Sequence, residues 1–395
     1  MTLVARTRRL DRDVELLAVA GRHGVLFEQH GHGFAGRGEA LRIATAEGVE
    51  DALASIEVDD EVDLPGTGPV AFGALAFHPP GGALVVPAII VGKADDGTRW
   101  ITTVGETEHQ APLLAHDAAL TAPSTFTVRP GRPPAEWCDA VASAVAAMHA
   151  GELTKVVLAR EVVVEADEPI DIVEVLRRLR AAYPSAMVFA VDGFIGASPE
   201  LLVSRMGDVV RSQPMAGTTP RTGDPATDAR LAASLLASAK DRAEHQITID
   251  TVLDAVLPFC SYVDSEPEPS IVTLANVQHL ASLVEGRLSS PPASVLSLVA
   301  ALHPTPAVCG FPRAAALEVI ARLEGFGRGR YAGTVGWVDR RGNGRFAVSI
   351  RCAEVEGRSA RLFAGNGIVA DSDPQIELAE TRAKLNALLS ALVRP

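Results

Sequence analysis

The sequence predicts an α+β fold built on antiparallel sheets. Strand-like runs come in adjacent pairs and do not alternate with helices, which favours antiparallel pairing over a doubly wound parallel sheet. Those runs are short, rich in β-branched residues and bounded by Gly and Pro. Of the 395 residues, 47% are hydrophobic and 22% charged, so there is ample material for a large core. A chain of this length makes one large domain or two ordinary ones.

Residues 1 to about 125 read as short strands between turns, at Gly24–Glu28, Val70–Phe77, Ala83–Val91 and Trp100–Thr103, with no chemical spacing. Arg129-Pro-Gly-Arg-Pro-Pro reads as a connector before a helix at Ala135–Ala150. KVVLAREVVVEA, from Lys155, is a buried strand by its β-branched content. A helix over Ile170–Ala182 follows, with Leu176, Leu179 and Ala182 at helical spacing. MVFAVDGFIGASPELLVSR then predicts two or three strands. Beyond the loop PMAGTTPRTGD, helices are expected at Pro225–Ser238 and Lys240–Leu257, β-structure over Ile271–Val284, and helices at Ala293–Leu302 and Arg313–Glu324. Tyr331–Asp339 and Arg345–Glu354 read as a hairpin around Arg340-Arg-Gly-Asn-Gly. The chain then runs through a glycine loop at Gly365, Asn366 and Gly367 into a last helix from Pro374 to about Leu392, with Asp373 as its N-cap. Gly325-Phe-Gly-Arg-Gly lacks a preceding strand and dinucleotide-loop spacing, and reads as a flexible turn.

The net charge is −13, with no basic run, so nucleic acid and anionic membrane are poor partners. An anionic ligand would need a locally positive site. The four cysteines, Cys138, Cys260, Cys309 and Cys352, are scattered, which argues against a zinc site or a disulfide framework and suits a reducing cytoplasm. The N-terminus lacks the unbroken apolar core of a signal peptide. Ala83–Val91 is too short to span a bilayer. We expect a cytoplasmic protein.

On the last helix Glu377, Glu380 and Lys384 share one face. They fit either a divalent-cation and anion site or a solvated face with a Glu380–Lys384 pair. Asp241 and Glu244 form a second i, i+3 carboxylate pair, which could add oxygen ligands for Mg²⁺ or simply favour a helix N-terminus. Lys155, at a strand end, is an exposed lysine or, if buried beside cations, a base. Glu200, before Leu-Leu-Val, is a turn carboxylate or, if buried, a general acid. Arg351 and Tyr331 fall in apolar strands, where a buried arginine needs an anion, either internal or supplied by substrate.

KVVLAR, GASPELLVS, PMAGTTPR, KDRAEH, HPTPAVCGFP, GRYAGTVGW, FAVSIRCAEV and AGNGIVADSDPQIELAETRAK resemble, in order, the motifs of the chorismate-utilising enzymes over about residues 130 to 395. That family includes isochorismate, salicylate, anthranilate and aminodeoxychorismate synthases. The resemblance implies two large antiparallel sheets packed on each other and flanked by helices, with Mg²⁺ and chorismate in a cleft between them. It implies Glu244 and Glu377 as metal ligands, with Asp241 and Glu380 contributing directly or through water. Arg351 and Tyr331 match groups that hold the pyruvyl carboxylate. Gly217, Thr218, Gly365, Gly367 and Lys384 match contacts around the ring carboxylate and metal, and His279 matches a histidine near the ring.

Three positions select the branch within that resemblance. Lys155 stands where water-using members have lysine and anthranilate synthases typically have glutamine. Ala216 stands where aminodeoxychorismate synthases have a nucleophilic lysine. Ala307, in HPTPAVCGFP, stands where salicylate synthases have a threonine. The string looks like the isochorismate synthase form, with Lys155 as base and Glu200 as acid; salicylate synthase is the alternative, and an ammonia-using subunit a more distant one. Isochorismate feeds menaquinone or siderophore synthesis. The resemblance further implies a monomer without a glutaminase partner. Residues 1–128 are expected to complete one domain with the chorismate-binding region 129–395.

Overall fold

The computed structural model describes residues 2–78, 81–106, 114, 117 and 120–393. Its strands form two large sheets and one small one. Hydrogen-bonded neighbours in the first are, in order, Phe126–Pro130, Lys155–Ala166, Ser359–Ile368, Cys352–Glu356, Phe194–Ser198, Met187–Val191, Val25–Gln29, His32–Arg37, Ile89–Lys93, Arg99–Gly105, Val4–Arg9 and Glu57–Asp60. The short strand Gly310–Phe311 also pairs with the start of the Lys155 strand. The second sheet runs Cys260–Ser265, Val284–Leu288, Val209–Gln213, Leu201–Met206, Gly344–Val348, Thr334–Asp339, Val70–Leu75, Leu84–Val86 and Leu41–Ile43. Met215–Pro220, Val277–Ala281 and Ser270–Thr273 make the third. Among the described residues every ladder is antiparallel except Val4–Arg9 with Glu57–Asp60.

The large sheets pack face to face. Phe34 of the first lies on Phe72 and Trp337 of the second, with ring centroids 5.9 and 4.6 Å away. Such tilted and edge contacts add about 0.5–1.5 kcal/mol each beyond burial. The outer face of the first sheet carries Val162, Val188 and Leu362, which pack with Leu16 and Leu17, with Leu176 and Leu179, and with Leu385 and Leu388 of three covering helices, Leu16–Ala20, Ile172–Ala182 and Pro374–Val393. On the far face of the second sheet the helix Val295–Leu302 packs, with Val295 against Gly344, so the layering is helices, sheet, sheet, helix. Capping follows the sequence: the Asp373 carboxylate accepts from Gln375 N (2.8 Å) and Ile376 N (3.0 Å), and the Ser238 hydroxyl from Asp241 N (3.2 Å).

Four sequence expectations are corrected. Ala83–Val91 is two strands in different sheets, Leu84–Val86 and Ile89–Lys93, divided at Pro87, which has no N–H for a ladder. Arg345–Glu354 is likewise divided: Gly344–Val348 lies in the second sheet and Cys352–Glu356 in the first. Arg351 thus sits in the crossing between sheets, at φ 52°, and not in a strand. Tyr331 lies in the turn before Thr334–Asp339. Gly365–Gly367 is no loop: it belongs to the strand Ser359–Ile368, with Gly365 opposite Ala159 and Gly367 opposite Val157. The hydrophobic pattern hides the crossings because both sheets bury side chains in one core, so the apolar run continues through each turn.

Candidate active site

The site is set by two sheet-to-sheet crossings lying side by side. Residues 199–200 link Phe194–Ser198 to Leu201–Met206, and residues 349–351 link Gly344–Val348 to Cys352–Glu356. Their backbones are cross-braced: Val348 N donates to Glu200 O (3.1 Å), Ala197 N to Arg351 O (3.1 Å), and the Ser198 hydroxyl to Val348 O (2.6 Å). Glu200 and Arg351 leave these crossings for one cavity. That cavity is also lined by Lys155, Gly217, Thr218, Asp241, Glu244, His279, Ala307, Tyr331, Gly365, Gly367, Glu377, Glu380 and Lys384. Every residue singled out in the sequence therefore meets in one place.

Glu200 is 4% exposed. Burial pushes its carboxyl up to about 7, against the Met215 backbone N–H and the Lys155 and Arg351 charges, which pull it down. Burial thus favours its protonated form well above the ordinary carboxylate range.

Lys155 begins the long Lys155–Ala166 strand and is buried, with Nζ 2.6 Å from Glu244 Oε1. A Cβ at Gly367 would lie 2.9 Å from Lys155 Cε, so only glycine lets this side chain pass. A Cβ at Gly365 would lie 2.8 Å from the Tyr331 hydroxyl.

Arg351 has no carboxylate within ion-pair distance among the described residues, and its Nε is buried without a partner. Burial lowers the guanidinium from its ordinary value. Its Nη2 approaches His279 Nε2 at 3.5 Å. His279 Nδ1 lies 3.2 Å from Gly217 O and 3.1 Å from the Thr218 hydroxyl. A carbonyl only accepts, so Nδ1 carries the proton and Nε2 faces the guanidinium as acceptor. Burial and the Arg351 charge hold His279 neutral, at about 3. This wall offers a buried cation and no internal anion.

The helices Ala239–Val256 and Pro374–Val393 supply the carboxylates, and Glu244, Glu377 and Glu380 are each occupied with a neighbour. Glu377 accepts from the Ser372 hydroxyl (2.7 Å) and Asn366 Nδ2 (2.9 Å), and burial raises it. Glu380 pairs with Lys384 Nζ at 2.8 Å, and Lys384 also donates to Gly365 O at 3.1 Å. Burial lowers the Lys384 ammonium. Asp241 stands against Gly217: a Cβ there would meet Asp241 Oδ1 at 3.3 Å. Among the described residues no three such groups converge as a ready-made chelate. The donor chemistry nevertheless fits Mg²⁺: oxygen-only, two carboxylates from each of two helices, with lysines now balancing part of the charge.

Sequence reasoning missed Asn366 and Ser372, which orient Glu377, and Lys240 and Val157, which line the cavity. Asn366 carried a readable signal, a polar residue in an apolar strand that is 1% exposed. Ser372 and Lys240 sit next to helix starts, where polar residues are ordinary.

Comparison with known proteins agrees with this geometry. The family model described as chorismate binding enzyme matches residues 34–393. The chain is 40% identical to isochorismate synthase DhbC of Bacillus subtilis over 279 residues, 68% of this chain and 70% of that one. It is 33% identical to isochorismate synthase MenF of the same organism over 362 residues, 85% and 77% of the two chains. The solved structure of MenF, the menaquinone-specific isochorismate synthase from Escherichia coli, superposes with a TM-score of 0.85 at 26% identity, covering 99% of this chain and 95% of that one. The chain belongs to the family of chorismate-binding enzymes.

Proposed function

We propose that the protein is an isochorismate synthase, an isomerase that interconverts chorismate and isochorismate. The observation that carries this is the pairing, in one cavity, of a buried carboxyl, Glu200, with a buried lysine, Lys155, beside the Arg351 guanidinium, which has no carboxylate partner among the described residues. Lys155, with its proton released, takes a proton from water as the oxygen attacks ring C2. The double bond shifts, the C4–O bond breaks, and Glu200 gives its proton to the departing hydroxyl. One water enters and one leaves, so the reaction is a net isomerisation. Arg351 and Tyr331 hold the pyruvyl carboxylate, and His279, Gly217 and Thr218 flank the ring.

Glu244 and Glu377, supported by Asp241 and Glu380, are the residues that would hold Mg²⁺. Bound there, the ion neutralises the ring carboxylate and makes the ring a better acceptor of electron density. Glu244 has a second task as the partner of Lys155, so it sets where the base stands.

Incubating the purified protein with chorismate and Mg²⁺ tests this reading. Accumulating isochorismate supports it; salicylate as the main product overturns it, as does aminated product appearing only with ammonia. The consumer of isochorismate, a menaquinone or a siderophore route, is identified by gene neighbours.

A further inference from the structure

The strand Lys155–Ala166 has a gap along one edge. Its other edge pairs with Ser359–Ile368 from Val156 to Glu165. On the gapped edge, Gly310–Phe311 covers Lys155 and Val156, and Phe126–Pro130 covers Val162 to Ala166. Between them, the backbone groups of Val157 and Ala159 face no strand. A buried backbone N–H or C=O without a partner is costly, so something must satisfy them.

Arg328 and Glu324 supply much of what is missing. Arg328 Nη2 donates to Val157 O and Nη1 to Val308 O, both at 2.7 Å. Glu324 Oε1 accepts from Ala159 N at 2.8 Å. The two side chains pair with each other, Arg328 Nε to Glu324 Oε2 at 2.8 Å, and each is 1% exposed. The indole of Trp137 completes the edge by donating to Ala159 O at 3.1 Å, and Cys309 O accepts from Val157 N at 2.8 Å. The guanidinium stacks 4.3 Å over the Phe77 ring, and Arg328 O accepts from Tyr331 N at 3.0 Å.

The segments tied by this pair are walls of the active cavity: Lys155 and Val157, Ala307 and Val308, and Tyr331. We propose that Arg328 and Glu324 are positioning residues that stand in for an absent strand and fix the Lys155 strand and the Ala307–Val308 segment at reacting distance. They touch no substrate. The GFGRG stretch is a turn, as its sequence predicts, and it carries the buried Arg328 into the site's supporting structure. The effect on turnover rests on the reading of Lys155 as base, whereas the effect on the strand does not.

Arg328→Lys in the full chain is the test, because a lysine keeps the pair with Glu324 but cannot span both carbonyls. The expected result is a folded variant in which the amides of Val157–Arg160 exchange about tenfold faster or more. In that variant kcat falls roughly 100-fold while KM for chorismate stays within about threefold, as misplacement by about 1 Å predicts. Glu324→Gln, which keeps an oxygen for Ala159 N, is the second variant should the first not fold, with a smaller loss of roughly tenfold in kcat. Leu53→Ala, a cavity in another part of the core, is the control for general destabilisation: its melting temperature drops while kcat and exchange in 157–160 stay within about twofold. Unchanged exchange at 157–160 in a folded variant overturns the proposal, as does faster exchange with unchanged kcat. If the wild type does not turn over chorismate, the functional reading fails and exchange alone decides the positioning role.

Discussion

Glu200 and Glu244 face the same cavity from different elements, and almost everything around them differs. Glu200 comes from a sheet-to-sheet crossing, has no ion-pair partner among the described residues, and is pushed up to about 7 by burial. Glu244 comes from a helix, has a side chain 21% exposed, and holds Lys155 at 2.6 Å. The same functional group thus stands buried and raised in one place and half-buried against a lysine in the other. Desolvation without a partner favours the neutral acid at Glu200, whereas Glu244 is placed to accept from the Lys155 amine. The contrast extends to the flanking cations. Among the described residues Arg351 has no carboxylate within ion-pair distance, whereas Lys155 and Lys384 each have one.

Removing the divalent ion attacks the helix side alone and has the largest expected effect. Chelation should take isochorismate formation to background and added Mg²⁺ should restore it, read by product chromatography. Persistent turnover after exhaustive chelation would sink the ligand role of Glu244 and Glu377.

Substitutions on the acid and base come next. Glu200→Gln and Lys155→Ala should each lower kcat by about 10²–10⁴-fold with the fold intact by circular dichroism. Near-wild-type rates in both would remove the acid–base assignment. Arg351→Lys keeps the charge but loses the planar fork, and should raise KM for chorismate by roughly 10- to 100-fold with a smaller change in kcat.

The remaining effect is on stability and leaves turnover aside, and its sign follows from Glu200. The folded carboxyl stands at about 7 against an ordinary value of 4.5, so between those values the folded state holds a proton that the unfolded state has lost. Stability from this group is therefore greatest at low pH and falls as pH rises from about 4.5 to 7. Across that window, wild type should lose on the order of 3 kcal/mol relative to Glu200→Gln, measured by denaturant titration at each pH. A flat difference would mean that Glu200 is not desolvated as described. In parallel, kcat/KM should decline above pH about 7 as the donor ionises.

The sequence by itself determined the class of the fold, the family and the residues that line the cavity. Paired strands announced antiparallel sheets, i, i+3 carboxylates announced two acidic helix faces, and the ordered motifs from Lys155 to Lys384 announced the family. These are local signals, carried by spacing within one element or by strings of a few residues. Tertiary structure alone decided which groups meet and how deeply each is buried. Lys155 and Glu244 are 89 residues apart, and nothing local pairs them. Arg351 read as a strand residue because the apolar alternation continues through the crossing that holds it at φ 52°. The Glu324–Arg328 pair was legible as an i, i+4 spacing, but its purpose depends on a gap between Gly310–Phe311 and Phe126–Pro130, which exists only once three distant segments converge on one strand. Burial, and hence the shifted carboxyl of Glu200, is a property of that convergence and of no single stretch of chain.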